Sequence, residues 1–145
     1  MSDITLVWDP ATARGDWATA NGDLLSGNDL QTAIYISIFS DARLPDDQVP
    51  PDGTDDPRGW WADTYEESPT GSLLWTLERA VISNGPAFLA QVKQIVSSAV
   101  QWLIDDEVAA SITVETWWIA TASVGIYGVV TEPDGTTQSF QYAWA

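Results

Sequence analysis

Asp63, Glu66 and Glu67 lie in the run RGWWADTYEESPTGSLLW, residues 58–75, beside Trp60, Trp61 and Tyr65. Paired carboxyls about 5 to 10 Å apart act as acid and base, or acid and nucleophile, on a glycosidic bond, while aromatic rings stack on sugar faces. The same residues describe a sugar-binding platform without catalysis, because stacking needs no tuned acid. A further reading is structural. Arg58, five residues before Asp63, pairs with a carboxylate and lies against an indole, so that a tryptophan-packed turn pins the preceding loop to the next helix. Gly59 and Gly71 then mark places where the backbone turns or comes close. Large rings are buried by default, and nothing in the sequence marks one of these carboxyls as desolvated. No catalytic residue is assigned.

The residue inventory closes most other chemistry. With no cysteine and no histidine among 145 residues, thiolate and histidine-based triads and histidine-ligated metal sites are excluded. Residues 44–57, LPDDQVPPDGTDDP, are rich in aspartate, but the spacing lacks the alternate ligands, central glycine and closing glutamate of an EF-hand loop. No metal and no cofactor are expected. The formal charge of −16 leaves only Arg14, Arg43, Arg58, Arg79 and Lys93 to meet phosphates, which argues against nucleic acid; the acidity fits a partner with a basic face and, equally, solubility or a salt-rich habitat. The opening MSDITLVWDP has no basic stretch followed by a long apolar one, and no apolar run approaches the roughly 20 residues of a membrane span. A soluble protein made in a cytoplasm is expected.

The elements that must position these residues follow from periodicity. The chain reads as one domain over 1–145, with 44–57 as an exposed acidic Pro/Asp loop. Ile4, Leu6 and Trp8 alternate as in a half-buried strand, and Asn21-Gly22 suits a tight hairpin turn. LQTAIYISIF places Leu30, Ile34 and Ile38 on one helical face, with Ser26 or Asn28 as cap, although its β-branched alternation also suits a strand. Leu73, Leu74, Leu77 and Val81 predict a second helix. A third, over 86–105, carries Leu89, Val92, Val96, Ala99 and Leu103 after a cap at Asn84 or Gly85. From residue 109 the period becomes two, predicting a three-strand meander whose last turn is Pro133-Asp134-Gly135. The expected fold is α+β: one small antiparallel sheet, made of the N-terminal strands and the meander, with about three helices on it. Phe140, Tyr142 and Trp144 mark the last strand as a candidate sheet edge open to a partner strand, against the alternative of an ordinary core strand.

Several runs are familiar together: DLQTAI, SDAR, RGWWAD, GSLLW, AVQWLIDD and the closing PDG with FQYAW. In this order, over nearly the whole chain, they resemble the Mu-like phage baseplate protein family of contractile tails, which is related to the lysozyme-like wedge protein of larger tails. The resemblance implies a non-enzymatic virion component of the tail baseplate, lying between wedge core proteins and the first ring of sheath subunits in six-fold copies. It also implies strand exchange with neighbouring chains, for which the final strand is a candidate. The motif residues carried over are Arg58, Trp60, Trp61, Asp63, Gly71, Ser72 and Trp75, with the tryptophans mostly inside and Arg58 and Asp63 fixing the turn. The alternative function is a carbohydrate-binding or carboxylate-based glycoside-cleaving domain. Two departures stand out: the broader family's Glu-Pro-Arg signature is replaced by Asp105-Asp106-Glu107-Val108, and Glu107 stands where Mu-type relatives have glycine.

Overall fold

In the computed structural model, which describes residues 4–9, 14–24, 29–51, 53–65, 69–77, 86–121 and 123–144, LQTAIYISIF is helical. Helix α1 spans Asp29–Phe39. A strand would set Ile34, Ile36 and Ile38 on one face, whereas Ile34 and Ile38 are fully buried and Ile36 is 37% exposed. The helical period therefore prevails over β-branched propensity. Helix α2, Pro86–Asp105, buries Val92, Val96, Val100 and Leu103 along one stripe. The caps expected at Ser26 or Asn28 and at Asn84 or Gly85 lie outside the described residues.

Strands β1 (Leu6–Asp9) and β2 (Arg14–Trp17) form one antiparallel pair, and β3 (Thr19–Ala20) and β4 (Asp23–Leu24) form another around Asn21-Gly22. Strands β5 (Ser111–Ala120), β6 (Ser123–Thr131) and β7 (Thr137–Trp144) form the meander, in the order β5-β6-β7. Its inner face, with Val114, Val124, Ile126, Val130, Phe140, Tyr142 and Trp144, closes the core against α1 and α2. Phe88 of α2 stacks on Trp118 and Trp144 at centroid distances of 5.7 and 6.3 Å. Trp102 Nε1 donates to Ser37 Oγ at 2.8 Å and ties α2 to α1, and Thr116 Oγ1 donates to the Leu89 carbonyl at 3.0 Å and ties β5 to α2.

The expected architecture needs correcting in two respects, although the broad class stays α+β. The N-terminal strands do not join the meander, and the described residues contain two α-helices rather than about three. Strand β2, RGDW, is exposed along its length, so it offers no apolar face with which to extend a half-buried sheet. The β1-β2 pair meets α1 chiefly through β1, and Gly15 of β2 lies close to the hydroxyl end of Tyr35. The helix expected from Leu73 is a 3-10 turn, Leu74–Leu77, in which Thr76 returns both its N–H and its hydroxyl to the Leu73 carbonyl. Residues 78–85 lie outside the described set.

The exit of α2 places Glu107 where glycine is favoured. Val108 N–H donates to the Leu103 carbonyl at 2.9 Å and Glu107 N–H to the Ile104 carbonyl at 3.0 Å, a Schellman cap. Glu107 occupies its left-handed position, with φ of 61°. A side chain there costs about 1–2 kcal/mol, which glycine avoids. Glu107→Gly is thus expected to stabilise the fold by about 1 kcal/mol, raising the thermal midpoint by about 2–4 °C; a lowered midpoint would contradict this cap.

Burial holds the Tyr142 phenol far above its ordinary pKa of 10.0, and neighbouring Tyr35, itself raised by burial, adds to the shift. Above about pH 10 the unfolded chain therefore releases tyrosine protons that the folded chain retains. Stability from this source is complete below that pH and falls as pH rises beyond it. Urea midpoints should decline between about pH 9 and pH 11, and less steeply in Tyr142→Phe. Equal slopes in both proteins would rule out this contribution.

Candidate functional site

The site is built where the chain leaves α1. Helix ends leave carbonyls without intrahelical partners, and the segment after Gly71 supplies donors for them. Ser72 Oγ donates to the Ile38 carbonyl at 2.5 Å, Ser72 N–H to the Ser40 carbonyl at 2.9 Å, and Trp75 Nε1 to the Ala42 carbonyl at 3.0 Å. Ala42 N–H returns a bond to the Ser72 carbonyl at 3.0 Å, completing a parallel bridge between Asp41 and Ser72. Gly71 makes this approach possible. Its φ is 101°, and a Cβ there would lie 2.4 Å from the Ser40 carbonyl oxygen.

Arg58 locks the outer side. Its guanidinium lies 4.3 Å from the centroid of the buried Trp75 ring and donates through Nη1 to Asp41 Oδ2 at 2.5 Å. Stacked and hydrogen-bonded in this way, the planar cation bridges the two segments that the Asp41–Ser72 ladder joins. Arg58 N–H donates to Asp56 Oδ1 at 2.9 Å, and Leu44 N–H donates to the Pro57 carbonyl at 2.8 Å, drawing the two ends of the acidic loop together. Asp63 has a different task from the expected clasp with Arg58. Its Oδ2 accepts from Trp60 N–H at 3.3 Å and its Oδ1 from Thr70 N–H at 2.9 Å, stapling a 3-10 turn, Trp61–Tyr65, to the strand-like return. Asp63 N–H also donates to the Trp60 carbonyl at 3.1 Å.

The tryptophans divide. Trp75 is 4% exposed, as expected of a packed ring, but Trp60 and Trp61 are 46% and 78% exposed, and Tyr65 is exposed beside them. The expectation that the tryptophans mostly pack inside thus fails for the WW pair. Trp60 and Trp61 sit with centroids 5.8 Å apart and planes tilted by 57°, a projecting ridge on a turn whose backbone is fixed by Asp63. Glu66 and Glu67, the other candidate carboxyls, lie outside the described residues.

Two positions were missed by reading the sequence: Asp41, which receives Arg58, and Arg43, which pairs with Asp46 at 3.4 Å and whose Cβ lies against Gly59. Both stand in the SDAR run, so the run itself was the available signal. Among the described residues, no group of three or more acidic side chains is arranged to hold a metal ion, and no helix is long and apolar enough to cross a membrane.

The candidate edge strand, β7, runs beside α1. Phe140, Tyr142 and Trp144 point into the core, and Tyr142 meets Phe39 edge-on at 5.2 Å. Strand β7 has β6 on one side and, among the described residues, no strand on the other. Gln31 Nε2 of α1 donates to the Ser139 carbonyl at 2.9 Å.

The model of the family described as phage protein GP46 matches residues 30–137. The chain belongs to this phage GP46 family. The matched span contains α1 from Leu30 onward, the Arg58–Trp75 knot and α2, and excludes the N-terminal strand pairs. The chain is 33% identical over 142 residues to the baseplate protein gp46 of Escherichia phage Mu, covering 98% of this chain and 95% of that one. It is 35% identical over 148 residues to the Mu-like prophage FluMu protein gp46 of Haemophilus influenzae, covering 100% and 99%. These relatives agree with the Mu-like resemblance carried by the RGWWAD and GSLLW runs of this GP46 family member.

Proposed function

We propose that this chain is a structural, non-catalytic component of a phage tail baseplate, a wedge protein of a contractile tail that joins the wedge core to the first ring of sheath subunits. It would be present in six-fold copies and would act by docking as one domain, made in the host cytoplasm and built into the virion. The observation that carries the baseplate part of this reading is the 33% identity over nearly the full length to the Mu baseplate protein. The knot around Trp75 supports it: Arg58, Asp63 and Ser72 spend their polar groups on the chain's own backbone and carboxylates, as a rigid assembly part requires. The open side of β7 is the candidate place for strand exchange with a neighbouring chain.

With a charge of −16, the contacted surfaces should be basic, so association with the adjacent purified tail proteins should slow as salt rises. Rates independent of ionic strength would contradict that charge complementarity, and absence of any binding to those proteins would contradict the baseplate role.

The exposure of Trp60, Trp61 and Tyr65 favours a second reading, a carbohydrate-binding surface. Acrylamide quenching with and without cell-wall fragments separates the two. Protection of the WW pair by glycan supports the second reading, and unchanged quenching removes it.

A further inference from the structure

Trp60 stands between two shallow grooves. On the α1 side, a groove of about 660 Å³ has Ile36 and Phe39 as its apolar floor, the Trp60 ring as a wall and Asp41 with Thr70 at its polar end. On the other side, one of about 580 Å³ runs past Arg43, Arg58 and Asp63 to Trp61. The indoles are held on a stapled turn, so a ligand would meet a surface that needs little further ordering.

The chemistry of the first groove is specific. It offers a run of open apolar surface, with Ile36 at 37% and Trp60 at 46% exposure, that ends on a carboxylate. The Asp41 side chain remains 44% exposed although it already holds Arg58. The adjoining loop adds exposed Asp46, Asp47, Asp55 and Asp56, while the cations nearby, Arg43 and Arg58, are themselves paired with Asp46 and Asp41. A long side chain with an aliphatic stem and a cationic head matches floor, wall and end together. Neutral glycans also stack on indole, but they gain nothing from the acidic field, and acidic glycans are repelled by it.

We propose that the Ile36–Phe39–Trp60 groove is a docking slot for an arginine or lysine side chain presented by an extended, basic segment of a neighbouring tail protein. The stem lies on Ile36 and Phe39, the cation faces the Trp60 ring, and its head reaches Asp41. The slot deepens the baseplate reading and rests on it.

The test uses the full chain and a capped peptide, acetyl-Gly-Arg-Ser-Arg-Gly-amide, alongside its citrulline counterpart, at about 0.15 M salt. The arginine peptide should bind at least about tenfold more tightly than the citrulline one, and Trp60→Ala should weaken it by about tenfold. Glu132→Gln, which removes one negative charge at the β6–β7 turn, should change binding by less than about twofold. No binding of the arginine peptide, equal binding by Trp60→Ala, or protection of Trp60 by cell-wall oligosaccharide but not by peptide would each overturn the slot. The adjacent tail proteins distinguish the two levels. If they bind the Trp60→Ala chain as well as the wild-type chain, the slot fails and the baseplate role stands; if they bind neither, the role itself fails.

Discussion

Replacing Trp75 with alanine is expected to lower the stability of the fold by about 3–5 kcal/mol. The ring is 4% exposed, so its removal leaves a cavity at the centre of the knot. Three further losses accompany the cavity. The Ala42 carbonyl loses its donor, Arg58 loses the face it lies on, and the Asp41–Arg58 pair loses the surface that orients it. That pair is partly exposed and contributes little by itself, so most of the effect is packing and the hydrogen bond. Against a total of about 5–15 kcal/mol for a typical domain, this is a large share of the stability. Urea denaturation followed by circular dichroism checks this, with Trp61→Ala as comparison. Trp61 is 78% exposed, so its loss should move stability by no more than about 0.5 kcal/mol. Similar effects from the two substitutions would contradict the division of tryptophans into one anchor and a surface ridge.

Gly71→Ala should cost about 2–4 kcal/mol, far more than the gain of a few tenths normally expected when a flexible glycine is replaced. Its φ of 101° disfavours any side chain, and the added Cβ would meet the Ser40 carbonyl oxygen at 2.4 Å and Ala42 N at 2.9 Å. These are backbone atoms of the bridge itself and cannot rotate away. Relief requires separating Ser72 from Ser40, which breaks the bond that satisfies the exit of α1. Gly22 provides the contrast in kind: a Cβ there meets open space, so only its φ of 81° opposes alanine. The difference between the two substitutions measures how tightly the 71–75 segment is pressed on α1, and equal costs would mean the approach is looser than described.

What could be read from the sequence was the part governed by local repetition. Val92, Val96 and Leu103 of the α2 stripe and the alternation through β5, β6 and β7 declare themselves because each element buries one face of a regular lattice, while Val100 takes the buried place expected of Ala99. The knot was visible only as a composition. Arg58 selects Asp41, seventeen residues earlier, over Asp63, five residues later, because Leu44 and Pro57 close the intervening loop and bring residue 41 back beside residue 58. That choice depends on three-dimensional closure, which sequence separation does not encode. The placement of the three tryptophans was equally hidden. Trp75 is drawn inward by the Ala42 carbonyl, whereas Asp63 turns the backbone at Trp60 so that the WW pair faces outward. Within the described part of the expected second helix, residues 73–77, the helical period gives way for the same reason: Ser72 and Trp75 bond to the α1 exit, and Leu74–Leu77 takes up a 3-10 turn.

Rigidity links these observations to function. A turn stapled at Trp60 and Thr70, a loop pinched at Leu44 and Pro57 and a bridge at Asp41 and Ser72 hold the backbone that carries the exposed indoles. Such a ridge gives up little conformational entropy on docking, which suits a part that must seat in an assembly.

The most direct measurement is electron microscopy of tails from phage lacking this chain, with and without a plasmid-borne copy. The expected result is tails without competent baseplates, rescued by the copy. Complete tails that contract normally in its absence would contradict the account.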